Sequence, residues 1–80
     1  MITNKIIQAE PMANHRVKVA FRDGKTGIFD VTPYLEKGVF RLLQKPEVVG
    51  AVRVEYGTLV WPNEIDIAPD TVEAELQAIK

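Results

Sequence analysis

The chain has 80 residues, a formal net charge of -1, and neither cysteine nor serine. That length holds one domain, and the lack of cysteine excludes disulfides and thiolate metal sites, so the fold must rest on its own core. A composition of 46% hydrophobic and 26% charged residues excludes a disordered tail.

Apolar runs reach only two or three residues, too few for a bilayer span or a signal-peptide core, so no membrane contact and a cytoplasmic protein are expected. Prolines and glycines recur about every ten residues, which predicts short elements. The first is a strand from Asn4 to Glu10, ended by Pro11. Its register is open, because Ile6 and Ile7 are adjacent. Met12 to His15 reads as a turn.

Val17, Val19 and Phe21 alternate with Arg16, Lys18, Ala20 and Arg22, the period of a half-buried strand. Asp23-Gly24 predicts a hairpin to Lys25–Val31. A two-residue loop would pair Val19 with Ile28. A three-residue loop with Gly24 left-handed would pair Val17 with Phe29, and is preferred because it places Phe29 in the core. Gly27 then lies opposite Val19, where its missing side chain leaves room for a helix.

Thr32-Pro33 predicts a short helix with Thr32 as its cap, ended by Gly38. Asp30 braces the turn into it. Val39, Phe40, Leu42 and Leu43 form a second turn over the sheet, and Pro46 to Gly50 a third. Ala51–Glu55 and Thr58–Trp61 form a second hairpin around Tyr56-Gly57. Val52, Val54, Leu59 and Trp61 share its inner face, and Arg53, Glu55, Thr58 and Val60 its outer face. Pro62 stops that strand. Asp70 and Glu73 read as a capping box before a helix carrying Val72, Leu76 and Ile79. The expected fold class is α+β: one antiparallel sheet in the order β-β-β-α-β-β-α, covered on one face by short helices.

The stretch Trp61-Pro62-Asn63-Glu64-Ile65-Asp66-Ile67-Ala68-Pro69-Asp70 is the most distinctive in the chain. With Val19–Lys25 and Phe29-Asp30-Val31 it resembles the bacterial family called domain of unknown function 2442, over about Ile6 to Val72. Its most specific part is the spacing W-P-N-x-x-D-x-x-P-D. The resemblance implies a small α+β domain. Family members stand alone or are fused to helix-turn-helix domains, and some lie beside small genes in an arrangement suggestive of toxin–antitoxin pairs. The resemblance thus implies an antitoxin-like or adaptor role, with no catalytic residues to carry over. The chain departs from the family at Glu64, where glycine is frequent, and it has no helix-turn-helix.

The residues themselves argue against catalysis. With no serine or cysteine, the hydroxyls are five threonines and two tyrosines, and His15 is the single histidine. His15 falls in a turn and reads as a solvated residue. Glu64, Asp66 and Asp70 do not follow the calcium-loop spacing, and a hard cation needs more oxygen ligands than they supply. Asp66 is expected to bond loop amides. Neither a metal nor another cofactor is expected. Trp61 reads as a core anchor, with ligand stacking as the other role for an aromatic at a strand end.

Charge is unevenly placed. Residues 1–53 carry nine Lys/Arg against five acids, and residues 54–80 carry one Lys against six acids. Arg16, Lys18 and Arg22 share one face of their strand, and Arg53 points outward on another. The expectation is a non-enzymatic interaction module. It would bind a protein partner, or a second copy in a dimer, through Arg16, Lys18, Arg22, Arg53, Trp61, Asn63 and Asp66. The alternative is an accessory nucleic-acid binder on the basic face, although sheet readers of nucleic acid interleave aromatics that this face lacks.

Overall fold

Alternation at Val17, Val19 and Phe21 builds the centre of the molecule. In the computed structural model, which describes residues 4–77, these three side chains are buried and Lys18 between them is exposed. They lie on β2 (Arg16–Phe21), flanked antiparallel by β1 (Ile6–Met12) and β3 (Thr26–Asp30). Val17 pairs with Phe29 and Val19 with Gly27, so the three-residue loop is the one formed. Gly24 adopts φ 96°, and the Phe21 N–H donates to the Lys25 carbonyl at 2.8 Å.

The Ile6-Ile7 ambiguity resolves as a β-bulge. Ile6 pairs with Phe21 and Gln8 with Ala20, leaving Ile7 as the extra residue, 63% exposed. The strand also runs past Pro11 to Met12, contrary to expectation. β1 is an edge strand of its sheet, and there a missing N–H breaks no ladder.

The second hairpin forms as expected. β4 (Arg53–Glu55) meets β5 (Thr58–Trp61) with Val54 opposite Leu59, across a turn with φ 52° at Tyr56 and 79° at Gly57. Two corrections follow. Residues 65–67 are not loop but a further strand, β6 (Ile65–Ile67), with Trp61 opposite Ile65 and Val60 opposite Asp66. Pro62 does end β5, but Asn63 and Glu64 then take φ 68° and 61° and reverse the chain. Left-handed backbone favours glycine, so Asn63 and Glu64 hold this turn at a conformational cost. The strands also form two three-stranded sheets, β1-β2-β3 and β4-β5-β6, rather than one.

The two sheets share one core. Ile6, Val17, Val19, Phe21, Phe29 and Val31 come from the first region, and Leu59, Trp61, Ile65 and Ile67 from the second. A single backbone bond, Ile6 N–H to the Gly57 carbonyl at 3.1 Å, links β1 to the second hairpin. Between the sheets run a 3-10 turn (Thr32–Tyr34), a 3-10 helix (Gly38–Gln44) and α1 (Pro46–Val49), contributing Leu43 and Val49 to the core. Tyr34 bridges the Phe29 and Phe40 rings, with centroids at 5.9 and 5.5 Å, and so pins this segment to the first sheet.

The expected caps differ. Thr32 is the first residue of its turn, not the cap, but Asp30 braces it as expected: its Oδ1 accepts the Thr32 N–H at 2.9 Å. α2 (Pro69–Ala74) has no capping box. Pro69 starts the helix with Ala68 at the cap position, which carries Glu73 beyond the third helical residue. Glu73 instead accepts from Lys25 Nζ at 2.7 Å and Asn4 Nδ2 at 3.2 Å. Val72 is buried as expected, and Ile79 lies outside the described residues.

The space opposite Val19 is filled by the chain leaving α2, not by a helix. A Cβ on Gly27 would stand 2.5 Å from Leu76 Cγ. Beside it, Ile28 and Gln77 exchange two backbone hydrogen bonds of 2.8 Å, closing part of the β3 edge.

Candidate interaction surface

Strand alternation gives the first sheet an outer face that no helix covers among the described residues. Gln8 and Glu10 from β1, Lys18 and Ala20 from β2, and Thr26 from β3 surround a shallow depression of about 210 Å³. Ala20 is the short residue in its lining, paired with Gln8 on one side and Thr26 on the other. Beyond the rim the same face carries Met12, 37% exposed, with Arg16, Ile28 and Asp30.

The basic residues on this face alternate with acids. Lys18 stands opposite Glu10 on one side and Ile28 on the other, and Arg16 stands opposite Met12 and Asp30. Arg16 Nε also donates to the Ala13 carbonyl at 3.4 Å. Arg22 lies past the end of β2 in the hairpin loop, its N–H bonded to the Lys5 carbonyl at 2.8 Å. Arg53 sits on the other sheet, ion-paired with Glu55. The structure therefore brings Arg16 and Lys18 together, and leaves Arg22 at one end and Arg53 on a separate sheet.

Trp61, Asn63 and Asp66 go to three different places. Trp61 is fully buried and its Nε1 donates to the Val49 carbonyl at 3.2 Å, so it is the core anchor and has no surface to offer a ligand. Asn63 is exposed at the β5–β6 turn. Asp66 is exposed on the outer face of β6 rather than tied to a loop.

Sequence reasoning did not single out a second depression, of about 310 Å³, on the outer face of the second sheet. Glu55, Tyr56, Thr58, Val60, Glu64 and Asp66 line it. The Tyr56 side chain is 96% exposed at its rim. The signal was present in the alternation of β4 and β5, but β6 was needed to bring Glu64 and Asp66 alongside.

The titratable groups serve the fold. His15 takes φ 59° in the β1–β2 turn, and its Nε2 donates to the Gln44 carbonyl at 3.3 Å. The Tyr34 hydroxyl donates to Glu75 Oε2 at 2.6 Å. Burial, reinforced by the Glu75 carboxylate, pushes the Tyr34 pKa up to about 12. The Lys25 ammonium, with help from Asn4, holds the Glu73 carboxyl below its ordinary value, and Glu73 in turn raises Lys25. The Lys25 N–H bonded to Asp23 lowers that carboxyl. Among the described residues, no three His, Asp or Glu side chains are grouped to hold a metal ion, and no helix is long and apolar enough to cross a membrane.

No curated protein and no solved structure matches the chain. A family model described as a protein of unknown function, DUF2442, matches residues 6–78. That span takes in both sheets and both outer faces, and on it the chain belongs to the DUF2442 family.

Proposed function

We propose that this chain is a small non-enzymatic interaction module, of the antitoxin-like or adaptor kind that the family's setting suggests, and that it takes a protein partner on the outer face of β1–β2–β3. The observation that carries this reading is the depression over Ala20, set in an uncovered sheet face with both signs of charge at its rim. An apolar-floored hollow ringed by paired charges suits another protein surface, where a buried centre supplies affinity and rim charges set register. The absence of serine and cysteine supports a binding role over nucleophilic catalysis.

The nucleic-acid alternative draws less support. Glu10 and Asp30 interrupt the basic residues across the strands, and no aromatic stands among them on this face. A phosphate backbone needs a continuous run of cations.

The test is co-expression with the product of the adjacent reading frame, followed by Ala20→Arg. The expected result is co-purification of the two chains, lost in the variant with the melting temperature unchanged, because the new side chain points to solvent. Lack of a complex, or a complex indifferent to Ala20→Arg, would overturn this reading. A gel shift with nucleic acid at low salt would favour the alternative.

A further inference from the structure

The 3-10 helix Gly38–Gln44 carries two apolar residues that stand outside the core packing of the described residues. Val39 is 61% exposed and Leu42 36%. Residues three apart on a 3-10 helix lie one above the other, so these two form a single ridge. Arg41 and Lys45 accompany the ridge, and the segment 37–45 contains no acid. Lys37 is occupied over the Tyr34 ring at 5.7 Å, while Arg41 and Lys45 have no ion-pair partner among the described residues.

The outer face of β4–β5–β6 has the complementary chemistry. Its depression has Val60 in it, Tyr56 at the rim and three carboxylates around it. Arg53 occupies Glu55, so Glu64 and Asp66 are the acids without an ion-pair partner among the described residues. Tyr56 also holds a left-handed turn position at φ 52° that asparagine or glycine would fill at less cost, yet its ring is left to solvent. Exposed aromatics of this kind are frequent anchors in interfaces and receive arginine well.

We propose that a second copy of this chain covers both surfaces: the Val39–Leu42 ridge of one copy seats on the β4–β5–β6 face of the other, with Arg41 and Lys45 against Tyr56, Glu64 and Asp66. Two such contacts related by a two-fold axis close a dimer. Charge complementarity selects this occupant, because the basic ridge and the acidic hollow are both carried by the same chain and neither is ion-paired among the described residues. The contact uses neither Ala20 nor the rim around it, so it goes beyond the partner surface assigned above and stands or falls independently of it.

The test is solution mass by light scattering or sedimentation at concentrations up to about 1 mM, the weak limit of a specific contact. The expected result is twice the monomer mass, falling as salt is raised. The double variant Arg41→Glu/Lys45→Glu makes the ridge acidic, and Glu64→Lys/Asp66→Lys makes the hollow basic. Each alone is expected to be monomeric, since like charges then face each other. Mixed together they are expected to form a heterodimer, because the acidic ridge of one then meets the basic hollow of the other, and the unreversed ridge meets the unreversed hollow. Ala20→Arg is expected to leave the mass unchanged. Circular dichroism checks that each variant is folded, and wild-type mass against salt tests the contact without any substitution. A monomeric wild type at every concentration, or variants that neither dissociate alone nor pair when mixed, would overturn the proposal.

Discussion

The two sheets reach the same core by different means. The strands of the first run five to seven residues and those of the second three or four. In the first, continuous alternation on β2 decides which residues face inward, and β1 accommodates its one misfit, Ile7, as a bulge. The second has little ladder to spend. It depends on one large side chain, Trp61, and on two turns that hold Tyr56, Asn63 and Glu64 at positive φ. Short strands leave each cross-strand pair and each turn with a larger share of the stability, so the second sheet should be the more sensitive to single changes.

Removing Trp61 should break that comparison open most severely. Trp61→Ala is expected to destabilise the protein by about 3–5 kcal/mol, through the cavity and the unsatisfied Val49 carbonyl. For a domain this small that approaches the whole folding free energy, and denaturant melts would show it. Gly27→Val probes the first sheet where the chain leaving α2 approaches it most closely. Its side chain would collide with Leu76, so a loss of about 1–3 kcal/mol is expected, with faster amide exchange at Ile28 and Gln77.

Glu64→Gly should act in the opposite direction. Relief of the left-handed backbone is expected to stabilise by about 1 kcal/mol, visible as a higher denaturant midpoint with an unchanged slope. A glycine put in place of Lys18 in β2 should only weaken the strand, which sharpens the contrast between a sheet limited by its turns and one limited by its ladder.

The smallest effects belong to pH. Burial, and after it the bond to Glu75, raises the Tyr34 pKa from 10.0 to about 12, so the neutral hydroxyl contributes stability that is fully present below 10 and lost as pH rises through about 12. The melting temperature should fall across that window, and less so in Tyr34→Phe. Glu73 is shifted the other way. Its stabilisation is present above the ordinary carboxylate value and is lost as pH falls through the lowered one. Salt should weaken it, because the Lys25–Glu73 pair is exposed.

The candidate surfaces were legible to different depths. Arg16 and Lys18 fall on one outer face by period two alone. Arg22 does not join them, because the loop begins one residue earlier than the alternation suggests. Arg53 does not, because its strand belongs to another sheet, and no local pattern encodes which strands share a ladder. The acidic hollow needed β6, whose three residues are too few for alternation to distinguish a strand from a loop.

The sequence by itself determined both hairpin registers, since turn length and side-chain alternation are local and reinforce each other. It also determined the uneven spread of charge beneath a net value of -1, and the poverty of nucleophiles. Only the tertiary structure decided that there are two sheets and that Glu73 serves Lys25 and Asn4 rather than its own helix. Tertiary structure alone also seats the chain leaving α2 in the Gly27 notch. These are contacts between residues tens of positions apart. They form because a partner elsewhere in the fold offers more than the local one, and that comparison exists only once the core has assembled.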